Sequence, residues 1–293
     1  MFTRITAQTR MVSAQQNLQN SAMLLARVQD QASSLKKISV PSDDPTGTAD
    51  SMRVRAAQSA NTQYGRNIDD ATGWLDTVDS TLSSTTDILR RVRDLTVQGA
   101  SDGSLSPAAK EALATELDGL KTDLMNRANT TYQGRTLFAG NSDAGVAVNP
   151  DYSSNSTGTP VLRRLDANST VKVDSDGAAV FGTGTASVFA LVDSIASDLR
   201  SGTNVGFHLA AIDDAMGRVT TEQSSVGARE LQVSRAKDAN VSATGSLEAQ
   251  RSSVEDVDLS QMAITLKQQE TTYQAALAIT SRTLQPTLMD FLK

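Results

Sequence analysis

Three pairs of adjacent aspartates, Asp43/Asp44, Asp69/Asp70 and Asp213/Asp214, come nearest to chemistry, because two carboxylates sharing a site can divide into an acid and a base. Neighbouring residues on a helix point about 100° apart, so such pairs do not face one another. They read as helix caps and solvated charges. His208 is the sole histidine and stands between Phe207 and Leu209, which predicts a packing or surface role rather than a metal ligand or general base. Asp174-Ser175-Asp176-Gly177 opens like a calcium loop, but its twelfth position is Thr185 where a glutamate is needed. The absence of cysteine excludes a disulfide frame, a thiolate metal site and a cysteine nucleophile, and leaves the compartment open. No glycine-rich phosphate loop is present. The sequence therefore predicts no catalytic, cofactor-binding or metal-binding residues, and no enzyme.

What the chain does carry is periodicity. Aromatic residues make up only 4%, so a core must come from Leu, Val, Ile, Ala and Met, as in long helical bundles. The formal net charge is −6, from 27 basic and 33 acidic residues with no basic block, which argues against nucleic acid as a partner. No stretch approaches the roughly 18 apolar residues of a membrane span, so no membrane partner is expected. Met1 to Thr6 lacks the apolar run of a Sec-type signal peptide, so any secretion is expected to proceed without a cleaved signal.

The two ends of the chain have matching stripes. Met11, Ala14, Leu18, Ser21, Leu25, Val28, Ala32 and Leu35 step by three and four near the N-terminus. Leu259, Met262, Leu266, Tyr273 and Ala276 do the same near the C-terminus with only Gln269 breaking the row, and Leu277, Leu284, Leu288 and Phe291 lie in a row beside them. A lone amphipathic helix is marginal in water, so these ends are expected to pair. Each helix is largely uncovered in a simple pair, so they are also expected to pack against neighbouring subunits. On that reading, residues 1 to about 40 and 255–293 order only on assembly, because ordering a residue costs about 1–2 kcal/mol in backbone entropy.

Between these ends the first helix should stop near Ile38, where Pro41, Asp43, Asp44 and Pro45 mark a hinge, Asp44 capping a new helix with Pro45 at its first position. Ile68, Ala71, Leu75, Val78, Leu82, Thr85, Leu89, Val92 and Thr96 predict a coiled-coil-like seam through about Val97, with Trp74 packed beside it. Ser106-Pro107 restarts a helix with Leu113, Leu117, Leu120 and Leu124 inward, antiparallel to the one before. Residues 141–187 are rich in Gly, Ser, Thr and Asp, and strands are expected at Thr170–Val173 and Ala178–Phe181 around a turn. Lacking a long apolar stripe, this insertion is expected to be dispensable for assembly. Helix returns with Phe189, Val192, Ile195 and Leu199, then with Ile212, Met216, Val219, Val226 and Val233, and should break near Gly245 and Arg251–Asp258. The fold class is thus mainly α: a long antiparallel helical bundle or coiled-coil rod with paired terminal helices and a small β-rich insertion. Its expected domains are 1–43 with 255–293 for polymerisation, 44–140 with 188–254 as the helical rod, and 141–187 as the small outer domain.

Several stretches resemble one family. Ile38-Ser39-Val40-Pro41-Ser42-Asp43-Asp44-Pro45 with Ala49 and Arg53, Tyr64 to Ala71, and Arg91 to Gln98 are similar to the N-terminal motifs of the flagellin superfamily. Asn129-Thr130 and Gly134-Arg135-Thr136-Leu137-Phe138-Ala139-Gly140 are similar to its hook-associated branch, and within that to the hook–filament junction family, hook-associated protein 3. Val226 to Arg229, Glu255 to Asp258 and Leu288 to Leu292 resemble the returning half, from which the chain departs in Lys293 and in Pro286, expected to kink the last helix. The resemblance implies a structural subunit, one per protofilament in a self-assembled ring between hook-associated protein 1 and the flagellin filament. It also implies an extracellular place in the flagellum, reached unfolded through the flagellar type III apparatus with an export chaperone holding the C-terminal helix. Flagellin itself and a surface adhesin acting through the insertion are the alternatives. The insertion offers only Tyr152 and Phe181 as aromatics, and Phe181 reads as core. Arg91, Arg93, Leu95 and Glu116 match positions by which flagellins are seen by an innate immune receptor; packing alone accounts for Leu95.

Overall fold

The computed structural model describes residues 7–101, 105–156 and 158–284. The described residues form seven helices, α1 (Ala7–Ser34), α2 (Pro45–Ala100), α3 (Pro107–Ala128), α4 (Gly177–Phe181), α5 (Val188–Ser201), α6 (Leu209–Glu255) and α7 (Leu259–Leu284). Two short hairpins join them, β1 (Thr131–Tyr132) with β2 (Arg135–Thr136) and β3 (Leu162–Arg164) with β4 (Thr170–Lys172), both antiparallel. The chain folds as two compact units, residues 1–59 with 244–293 and residues 60–243.

In the larger unit the seam residues Ile68, Ala71, Leu75, Val78, Leu82, Thr85, Leu89, Val92 and Thr96 are all buried. The threonines enter an apolar core because each hydroxyl donates to the carbonyl one turn back, Thr85 to Thr81 at 2.8 Å and Thr96 to Val92 at 2.7 Å. Helix α6 lies antiparallel to α2 in this unit, as the falling partner numbers Asn61–Asn240, Asp79–Gln223 and Arg93–Asp213 show. Ile212, Val219, Val226 and Val233 are buried along it. Helix α3 starts at its Ser106 cap and runs antiparallel to α2, Arg91 meeting Glu116 and Trp74 meeting Tyr132 beyond the helix end. Leu113, Leu117 and Leu124 are buried while Leu120 packs at the margin.

The Gly134–Gly140 motif has a local physical reason. Gln133 and Gly134 take positive φ at the β1–β2 turn, and Leu137, Phe138 and Ala139 are fully buried. Gly140, at φ 62°, lies so close to the Thr159 carbonyl that a Cβ would stand 2.6 Å from it. Trp74 packs on Tyr132 with ring centroids 5.5 Å apart and under the Arg163 guanidinium, itself paired with Asp70. It is a packing residue, as its place beside the seam implies.

Two expectations need correction. Ala178–Phe181 is helix, because the Asp176 carboxylate accepts from the Ala178 amide and starts α4; β4 pairs instead with β3. The insertion packs onto the core of this unit: Val161, Leu165, Val171, Val173, Val180 and Phe181 are each at most 4% exposed, and Phe181 packs edge-on against Phe138. Arg229 ties it down from α6, donating to the Asp174 carbonyl at 2.8 Å and pairing with Glu222. Helix α6 also runs through Gly245, and the break falls at residues 256–258, inside the expected Arg251–Asp258 segment. One glycine costs a helix only about 1 kcal/mol, and Arg251 braces the last turns by pairing with Glu248 and Glu255.

In the smaller unit α1 ends at Ser34, followed by Leu35 at φ 57° and an irregular segment to Asp44. The Asp44 carboxylate accepts from the Gly47 amide at 2.9 Å, capping α2 with Pro45 at its first position. Helix α1 packs against α7.

Candidate assembly surface

The pairing of α1 with α7 sorts the terminal stripes into two rows. Leu18, Leu25 and Val28 on α1, and Met262, Leu266 and Tyr273 on α7, are half-buried or buried in the unit. With Ala14, Ser21, Ala32, Gln269, Ala276 and Thr280 they form the inner row, so the three-and-four stripe is the face the two helices share. Met11, Leu35, Leu259 and Leu277, which the stripes include, are exposed at 48%, 53%, 63% and 48%. Val12, Met23 and Leu24 of α1, with Ile264 and Ile279 of α7, join them in the exposed set, between 48% and 64%. These five fall off the stripe; their only signal in the sequence is that they are large apolar residues left unassigned once the stripe is drawn. The side chain of Leu284, and Leu288 and Phe291 altogether, lie outside the described residues.

The linkers that lead into this pair are bound to each other. The Lys37 amide donates to the Glu255 carbonyl at 2.7 Å and the Val257 amide to the Leu35 carbonyl at 3.2 Å, so Lys36 and Asp256 form an isolated antiparallel bridge. Glu255, 3% exposed, receives a two-pronged contact from Arg55 at 2.7 and 2.8 Å, with the Ser51 hydroxyl, Arg251 and Lys36 also on its carboxylate. The Arg55 contact, aided by Ser51 and Arg251, lowers the Glu255 pKa from 4.5 to about 2. None of these partners was legible as a site residue, since Arg55 and Glu255 stand 200 positions apart without any shared period.

Pro41, Asp43, Asp44 and Pro45 all fall within this unit. Asp43 closes a turn on itself: its amide donates to the Val40 carbonyl at 2.9 Å and its carboxylate accepts from the Val40 amide at 3.2 Å. Ile38, Val40, Pro41 and Met52 line an open, mainly apolar cleft of about 400 Å³ with Arg55 and Glu255 at its side.

The residues that could do chemistry are dispersed. Asp69 meets Lys237 and Asp70 meets Arg163, while Asp213 meets Arg93, so the paired aspartates serve different partners. His208 is 8% exposed, lies under Phe207 and contacts Asp198 through Nε2 at 2.7 Å, joining the turn before α6 to α5. The sequence shows no such partner for it. Asp174 is buried, its carboxylate accepting from the Val161 amide at 2.6 Å, and burial raises its pKa. Among the described residues no three His, Cys, Asp or Glu side chains converge as a metal site, and no helix is long and apolar enough to cross a membrane. Arg91 and Arg93 are half-engaged with Glu116 and Asp213, and Leu95 is 1% exposed in the core.

Comparison with known proteins follows the same outline. Residues 5–143 match the bacterial flagellin N-terminal helical region and residues 209–292 the bacterial flagellin C-terminal helical region. Flagellar hook-associated protein 3 of Escherichia coli is 29% identical over 212 residues, 71% of this chain and 64% of that protein. The protein of the same name from Salmonella typhimurium is 29% identical over 182 residues, 61% of this chain and 57% of its own length, so under two thirds of either relative is matched. A flagellar hook-associated protein from Vibrio parahaemolyticus has the same fold, with a TM-score of 0.68 over 73% of this chain and 100% of that one, at 20% identity.

Proposed function

Because this chain belongs to the flagellin superfamily, we propose that it is a structural subunit of the bacterial flagellum, seated at the junction between hook and filament, and not an enzyme. The observation that carries this reading is the α1–α7 pair, whose inner row is satisfied within the chain while Val12, Met23, Leu24, Ile264 and Ile279 face outward. A surface of this kind suits repeated contact between copies, since apolar area left in water contributes about 25 cal/mol per Å² when a neighbour covers it. The copies form a ring, one per protofilament, with hook-associated protein 1 on one side and flagellin on the other. The subunit reaches its extracellular place through the flagellar export apparatus, a chaperone holding the C-terminal helix. Residues 1–43 with 255–293 serve as the polymerisation domain, and the Pro41–Pro45 segment as the hinge at which the chain turns from α1 into α2.

Deletion of the gene tests this. Hooks should remain, and flagellin should be shed as monomer into the medium. Normal filaments on the mutant would refute the junction reading, and bare hooks with no flagellin monomer in the medium would favour the filament subunit instead.

A further inference from the structure

Three segments of the smaller unit meet at one carboxylate, and a fourth joins them through the backbone. The linker after α1 brings Lys36, the start of α2 brings Ser51 and Arg55, and the end of α6 supplies Arg251 and Glu255 itself. The start of α7 is joined through the Lys36–Asp256 bridge. Leu35, whose carbonyl takes the Val257 amide, holds a left-handed backbone at φ 57°, a conformation a leucine keeps only where its surroundings enforce it. Apolar pairing of α1 with α7 is non-directional and leaves the entry angle of both linkers free; charged, two-pronged hydrogen bonds do not. A buried carboxylate stripped of these partners would be costly, so the partners and the backbone bridge stand or fall together.

We infer that Glu255 is the positioning residue of the assembly surface: its carboxylate, gripped by Arg55, Ser51 and Arg251, fixes how the two linkers present the α1–α7 pair to neighbouring copies. This rests on the assembly reading above, and deepens it by naming the residue on which presentation depends. Glu255 acts through the bridge it holds, not by touching a neighbour.

The chain has no cysteine, so Lys36→Cys with Asp256→Cys creates a single possible disulfide across the bridge. In the purified full-length chain the rate of oxidation of this pair reports the bridge directly. Adding Glu255→Gln should slow it about tenfold, as the loss of a charge-assisted contact implies. Purified chain is then supplied to hook-bearing cells that lack the gene. Glu255→Gln should need about tenfold more protein than the wild type to restore filaments, on the same contact loss. The oxidised double-cysteine form of Glu255→Gln should recover most of that deficit, and its reduced form should not. Arg55→Lys, which keeps the charge and loses the two-pronged grip, should fall between. Unfolding followed by Trp74 fluorescence, which reports on residues 60–243, should be unchanged throughout. Equal oxidation rates with and without Glu255, or a Glu255→Gln deficit that the disulfide leaves untouched, would overturn the inference. Failure of the wild-type chain to restore filaments would instead overturn the assembly reading.

Discussion

Replacing Ile264 and Ile279 together by serine separates the outward face of the terminal helices from the inward one. They are 62% and 64% exposed, so most of each side chain remains available to a neighbour. Fully burying an isoleucine contributes about 1.5–3 kcal/mol, and the exposed fraction therefore about 1–2 kcal/mol. The double substitution should weaken each contact between copies by about 2–4 kcal/mol, or about 30- to 700-fold in the association constant. Serine and isoleucine have similar helix propensities, so the isolated chain should keep its stability to within about 0.5 kcal/mol.

Leu266→Ser is the matched control, since Leu266 lies in the half-buried inner row. It should lower the thermal stability of the terminal helices as well as assembly. The assay is the amount of chain recovered on isolated hooks, read beside circular-dichroism melting of each purified variant. Wild-type recovery for the double variant, at wild-type melting, would refute the assignment of this face to assembly.

Two further predictions concern the interior. Gly73→Ala should destabilise the larger unit despite alanine's advantage of about 1 kcal/mol in a helix, because a Cβ there meets the Tyr132 hydroxyl; in a Tyr132→Phe background it should become neutral or stabilising, by denaturant titration of Trp74 fluorescence. Two carboxylates, one in each unit, should also contribute to the acid response with opposite sign. Glu255, lowered from 4.5 to about 2 by Arg55, contributes stability above pH 4.5 that is lost as pH falls towards 2, so the melting difference between wild type and Glu255→Gln should shrink over that window. Asp174, raised from 3.8 by burial despite Lys172 and Arg229 nearby, contributes stability below that value that is lost as pH rises, so Asp174→Asn should stabilise the Trp74 signal at pH 7 and not at pH 3. A Glu255→Gln difference that grows in acid would contradict the first sign, and a destabilised Asp174→Asn at pH 7 the second.

How far the sequence discloses this molecule depends on whether a feature repeats. The seam from Ile68 to Thr96 is legible because helix geometry forces a buried face to recur every three or four residues, and every position so identified is buried. The same rule found the inner row of α1 and α7, and for the same reason it could not find the outer one: Met23, Leu24 and Ile264 are recognisable only after the partner of the inner row is known. Features made once are silent. The four threads that meet at Glu255 come from Lys36, Ser51, Arg55 and Arg251, whose spacing has no period and whose types are ordinary surface choices. The insertion misleads in the opposite direction. Its polar composition offers no stripe, yet Val161, Val171 and Val173 enter the core singly from β4 and the segments beside the strands, and Phe181 from the short helix α4, where no stripe is needed to bury them. A residue such as Asp176, able to start a helix or to turn a hairpin, is decided by what surrounds it: Gly177 lies hard against the Phe138 backbone, and Phe181 must reach Phe138 and Phe189. Helical turn from 177 to 181 brings that ring to both, which an extended strand leaving the same turn would carry away from the core.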